Sequence, residues 1–60
     1  MRVWVNGTEA VLAPGMTVRH ALIQVGLLPE VAAGKKVYDA WGNEVGLEGG
    51  LQDGAELWVK

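Results

Sequence analysis

Asn6-Gly7 stands between two short stretches of alternating character, Arg2 to Asn6 and Thr8 to Leu12, and no other feature narrows the possible folds so far. Both central positions of a type I′ turn need positive φ, which Asn and Gly tolerate, so the segment predicts a tight β-hairpin. With Asn6 and Gly7 as the loop, Val5 faces Thr8, Trp4 faces Glu9, Val3 faces Ala10, Arg2 faces Val11 and Met1 faces Leu12. One face then gathers Met1, Val3, Val5, Ala10 and Leu12, and the other Arg2, Trp4, Glu9 and Val11. Burial of the first set pins the register, because a slip of one residue would turn every side chain over.

Pro14-Gly15 reads as a turn and Thr17 as a helix N-cap. Val18, Ala21, Leu22 and Val25 fall at helical spacing on one apolar stripe, Gly26 suits a left-handed C-cap, and Pro29 bars continuation. From Pro29 to Gly34 the chain has room for a single helical turn around Val31 and Ala32. Lys36 to Asp39 reads as a third strand. It is followed either by a type I turn over Asp39-Ala40-Trp41-Gly42 with a bulge, pairing Val37 with Val45, or by a Gly42-Asn43 loop, pairing Ala40 with Val45. Both registers leave Trp41 off the core and turn Val45 and Leu47 inward. Gly49-Gly50 opens a loop, Leu51 is an isolated apolar anchor, and Asp53-Gly54 turns the chain. Ala55 to Lys60 alternates as a last strand, with Leu57 and Val59 inward and Glu56, Trp58 and Lys60 outward.

These elements predict an α+β fold of order ββαβββ, a mixed four- to five-stranded sheet with one helix packed on one face, in a single domain spanning residues 1–60. A chain of 60 residues buries only about 60% of the surface its unfolded form exposes. With no cysteine, neither disulfides nor thiolate metal sites supplement that core. The first residues read as a strand rather than a signal peptide, and no apolar run reaches the ~20 residues that span a bilayer, so the expectation is a cytoplasmic protein without membrane contact. A net charge of −2 offers no general attraction to phosphates and makes nucleic acid an unfavoured partner.

In order and spacing, four local signatures resemble the β-grasp (ubiquitin-like) proteins, especially the small sulfur carriers of thiamine and molybdopterin synthesis. They are the Val3-Trp4-Val5-Asn6-Gly7 hairpin, the Pro14-Gly15-Met16-Thr17-Val18 helix start, the Val25-Gly26-Leu27 helix exit, and Leu51 to Leu57 leading into the last strand. The same signatures are similar to TGS domains, which would make the chain an RNA-associated module. The resemblance implies a last strand parallel to the first and beside it in mid-sheet, with the helix-free face available to partners. Sulfur carriers end in a flexible Gly-Gly tail whose carboxylate becomes a thiocarboxylate, whereas this sequence ends at Val59-Lys60, and Gly49-Gly50 is internal and reads as loop punctuation.

No catalytic constellation is expected. His20 lies off the apolar stripe beside Arg19 without a second ligand one turn away, Thr8 and Thr17 have structural roles, and the carboxylates are scattered. No Gly-rich phosphate loop follows a strand, so neither a cofactor nor a metal is expected. Lys35-Lys36 is a basic spot of the kind that is usually solvated. The tryptophans carry the functional expectation. With the first and last strands adjacent, Trp4 and Trp58 become neighbours on an open sheet face bordered by Arg2, Glu9, Val11, Glu56 and Lys60, and Trp41 adds another exposed indole. Exposed aromatic area marks interaction sites, which points to a non-catalytic module binding a protein partner or a second copy of itself. A purely structural role, in which cross-strand tryptophans shield backbone bonds and add about 0.2–1 kcal/mol per pair, accounts for the same residues.

Overall fold

In the computed structural model, which describes residues 1–60, Asn6 (φ 50°) and Gly7 (φ 83°) both occupy the left-handed region that a type I′ turn requires. Strands β1 (Arg2–Val5) and β2 (Thr8–Val11) flank them in the expected register, with Val5 opposite Thr8, Trp4 opposite Glu9, Val3 opposite Ala10 and Arg2 opposite Val11. Helix α1 (Val18–Val25) begins at Thr17 and ends on Gly26, whose φ of 77° lets its N–H and that of Leu27 reach back to Ile23 and Leu22 carbonyls.

The element order departs from ββαβββ in two places. A second short helix, α2 (Leu28–Ala32), follows α1 directly. Only a single turn around Val31 and Ala32 was expected here, with Pro29 as a bar to continuing α1; Pro29 instead occupies the first turn of α2, where a backbone donor is not needed and its fixed φ is already helical. The expected short strand around Val45 is absent as a strand. After β3 (Val37–Tyr38), the Asp39–Gly42 turn closes with Gly42 at φ 84°, and only Tyr38 bridges to Glu44 while Val45 N–H donates to the Val37 carbonyl at 2.9 Å. That is the type I turn with bulge, the reading that pairs Val37 with Val45. Beyond it the Leu47 and Gly49 carbonyls turn to accept from Arg19 and Val18 N–H groups, at 2.9 and 3.1 Å. A segment whose carbonyls satisfy the orphan donors of a helix start is not free to extend a sheet.

The sheet has four strands in the order β2-β1-β4-β3, where β4 is Glu56–Val59. β4 runs parallel to β1 in the middle and antiparallel to β3 at the edge. Val3, Val5, Ala10, Leu12, Val37, Leu57 and Val59 point to one side, where Val18, Ala21 and Leu22 of α1 complete a core of ten buried residues, all apolar. Val25, Leu28, Val31, Val45, Leu47 and Leu51 are half-buried against it. No helix is long and apolar enough to cross a membrane.

Candidate functional site

Strand alternation that buries Val3, Val5, Leu57 and Val59 leaves their neighbours on the opposite, helix-free side of the sheet. Arg2 and Trp4 come from β1, Glu9 and Val11 from β2, and Glu56 and Trp58 from β4. Trp4 is half-buried, flanked by Glu9 on one strand and Glu56 on the other. The parallel register places Trp4 opposite Glu56, two positions before Trp58, so the indoles lie on adjacent strands in diagonal rather than facing positions. Trp58 is 41% exposed and Val11 59%. Arg2 reaches Glu9 across the hairpin, Nε to Oε2 at 3.5 Å.

Tyr38 belongs to this face and was missed. It stands opposite Trp58 on β3, and the Lys60 ammonium lies 5.7 Å from its ring centroid, within cation–π range. Its signal was present in the sequence, because an outward position follows from an inward Val37, but a strand of two residues offers little alternation to read. Trp41 is elsewhere. It rides on the Asp39–Gly42 turn, 85% exposed, with its backbone N–H donating to Asp39 Oδ1 at 2.9 Å. There it lines a cleft of about 500 Å³ between this turn and the 49–56 segment.

The remaining candidates take structural positions. His20 is exposed, and its ring Nδ1 accepts from the Thr17 backbone N–H at 3.0 Å, filling the place that Glu or Gln holds in a capping box. Lys35 pairs with Glu30 at 3.1 Å and Lys36 with Glu44 at 3.7 Å. Gly49 and Gly50 lie against the start of α1, with Gly50 bridged to Thr17. No group of three or more His, Cys, Asp or Glu side chains is gathered in a way that could hold a metal ion.

Two side-chain amides act as surrogate peptide groups: Asn6, which the sequence marks only as a turn residue, and Gln24 of α1. Asn6 Oδ1 accepts from Val59 N–H at 2.8 Å while Nδ2 donates to the Val59 carbonyl at 3.4 Å, prolonging the β1–β4 pairing past the end of β1. Gln24 does the same to Val11 on the outer edge of β2. Val45 N–H, bound to Val37, covers β3 at the other edge. Both edges are thus partly occupied, while the helix-free face bearing Trp4, Trp58, Tyr38 and Val11 has no element of the chain laid over it. No family model, no curated protein and no solved structure matches this chain.

Proposed function

We propose that this chain is a non-catalytic, ubiquitin-like β-grasp module that binds a protein partner, or a second copy of itself, through the helix-free sheet face bearing Trp4 and Trp58. The observation that carries this reading is the aromatic cluster on that face: Trp58 across from Tyr38, with Trp4 on the adjoining strand and no element of the chain laid over them. Large aromatic side chains expose costly apolar area to water and recover it on association, and Trp and Tyr are enriched where binding energy concentrates. Arg2, Glu9, Glu56 and Lys60 form a rim of both signs, suited to orienting a partner. The parallel β1–β4 pair in mid-sheet, the opening hairpin and the helix on one face support the β-grasp assignment. An RNA-associated role has less support, because Lys35 and Lys36 are each ion-paired with a glutamate.

The test is Trp4→Ala and Trp58→Ala, singly and together. Sedimentation velocity across a concentration series and partner capture from the source lysate should show association lost in variants whose circular dichroism and amide NMR spectra stay native-like. Loss of the native fold in both single variants would assign the indoles to stability instead.

A further inference from the structure

Two charged side chains of the tryptophan face have no partner within the chain, and they are opposite in sign. Arg2 pairs with Glu9 across the hairpin and Lys36 with Glu44, whereas neither Glu56 nor Lys60 enters an ion pair. Both are exposed, and they flank Trp58 two residues away on either side, so all three share the outward sense of β4. Two backbone bonds of 3.0 Å between Lys60 and Lys36 carry the β3–β4 pairing to the end of that run, which keeps Lys60 in register with Trp58. At strand rise, Glu56 and Lys60 stand roughly 13 Å apart. The face as a whole is neutral, because these two and the two ion pairs cancel. The rest of the chain sets Arg19 and Lys35 against Glu30, Asp39, Glu48 and Asp53, which carries the whole net charge of −2.

Resting on the sheet-face reading above, we infer that the occupant of this face is a second copy of the chain, related by a two-fold axis that lies between the two sheets and runs across the strands at Trp58. Such an axis brings residue i of one copy to residue j of the other and j to i. The two β4 strands then stack antiparallel, Glu56 of each copy comes opposite Lys60 of the other, and the same ion pair forms twice. An axis running along β4 would instead set Glu56 on Glu56 and Lys60 on Lys60, so charge selects the orientation. Stacked sheets lie about 10 Å apart, a gap that a lysine and a glutamate reaching toward each other can span. Trp4, level with Glu56 on β1, borders the incoming ammonium and offers it a ring face. A neutral, self-complementary face on an otherwise anionic chain is where two copies repel least and where each attraction is repeated by symmetry. The protein measures 27 × 22 × 20 Å, so one face offers less than the roughly 800 Å² per partner of a standard interface, and the dimer is expected to be reversible.

The experiment compares self-association of the unmodified chain, Glu56→Lys, Lys60→Glu and the double variant by sedimentation equilibrium up to about 1 mM. Each single reversal sets like charges together at both symmetric contacts and is expected to weaken dimerisation about tenfold. The double variant exchanges the two charges at constant net charge and should regain the original affinity, and an equimolar mixture of the two single variants should form a heterodimer. Isotope-filtered NMR on a mixture of labelled and unlabelled unmodified chain needs no variant, and should show intermolecular contacts between Trp58 and Lys60 protons. An unmodified chain that stays monomeric at about 1 mM, single reversals that associate as tightly as it does, a folded double variant no better than the singles, or intermolecular contacts that avoid Trp58 would overturn the inference. If the unmodified chain is monomeric yet captures another protein that Trp4→Ala and Trp58→Ala lose, only the second-copy assignment falls. If the chain dimerises and both tryptophan variants dimerise equally well, the sheet-face reading falls with it.

Discussion

Gln24 holds both backbone groups of Val11: the Val11 N–H donates to Oε1 at 2.6 Å and Nε2 donates to the Val11 carbonyl at 2.8 Å. One helix side chain thus ties α1 to the hairpin and occupies the position where an added strand would bond to β2. Open edges invite such pairing, and a carboxamide that matches the geometry of a peptide group closes one at little cost.

Gln24→Ala is expected to lower stability by about 0.5–1.5 kcal/mol, the net worth of hydrogen bonds that water can partly replace. The sharper readout is hydrogen exchange, in which the Val11 amide should lose protection while the Val3 and Ala10 amides keep theirs. Unchanged Val11 protection would refute the bridging role.

Asn6 does two jobs that substitutions can separate. Asn6→Gly keeps the turn conformation but loses the contacts to Val59, whereas Asn6→Ala loses both, at φ 50°. Asn6→Asp retains tolerance of that φ and the acceptor for Val59 N–H. The expected order of stability is Asn6, then Asp, then Gly, then Ala, with about 1 kcal/mol between Gly and Ala from the strained turn. Urea denaturation checks it, and Ala equal to Gly would show that the turn carries no strain.

At the start of α1, His20→Gln should be nearly neutral, because Gln still offers an acceptor to the Thr17 N–H. His20→Ala should cost about 0.5–1 kcal/mol by thermal denaturation, the usual scale of a lost cap. Equal effects of the two would mean that the ring contributes no bond.

The paired glycines should respond differently to a methyl group. A Cβ on Gly49 would lie 3.1 Å from the Gly46 carbonyl oxygen, whereas one on Gly50 meets nothing within 4 Å. Gly50→Ala is expected to be neutral or stabilising by up to about 1 kcal/mol through the unfolded chain. Gly49→Ala should be less stable than Gly50→Ala by about 1 kcal/mol, since crowding at a backbone oxygen opposes the same gain. Equal midpoints in chemical denaturation would show that the 46–49 turn relaxes freely.

Most of the hairpin, both ends of α1 and the inward or outward sense of β1, β2 and β4 were legible because they rest on local rules. A turn type depends on neighbouring φ values, a strand face on a period of two and a helix stripe on a period of 3.6. The second helix was under-read because Pro29 was weighed as a stop when the turn at Gly26 had already ended α1, which left proline free to begin another helix. Of the candidate site, Arg2, Trp4, Glu9, Val11, Glu56 and Trp58 fall on one face as alternation required. Tyr38 and the cleft at Trp41 escaped notice because each depends on what lies across a strand or a loop.

Sequence alone therefore determined which side chains of the hairpin and the last strand are buried, where α1 starts and stops, and that Trp41 stands off the core. Only tertiary structure decided that Asn6 would meet Val59, that Gln24 would reach Val11, and that the chain would leave β3 after Val45 so that the Leu47 and Gly49 carbonyls cap a helix. The division follows from physics: torsional preference and periodicity act between residues a few positions apart. Contacts between residues 53 apart, as in the Asn6–Val59 pair, form only after burial of the shared apolar core has brought the strands together.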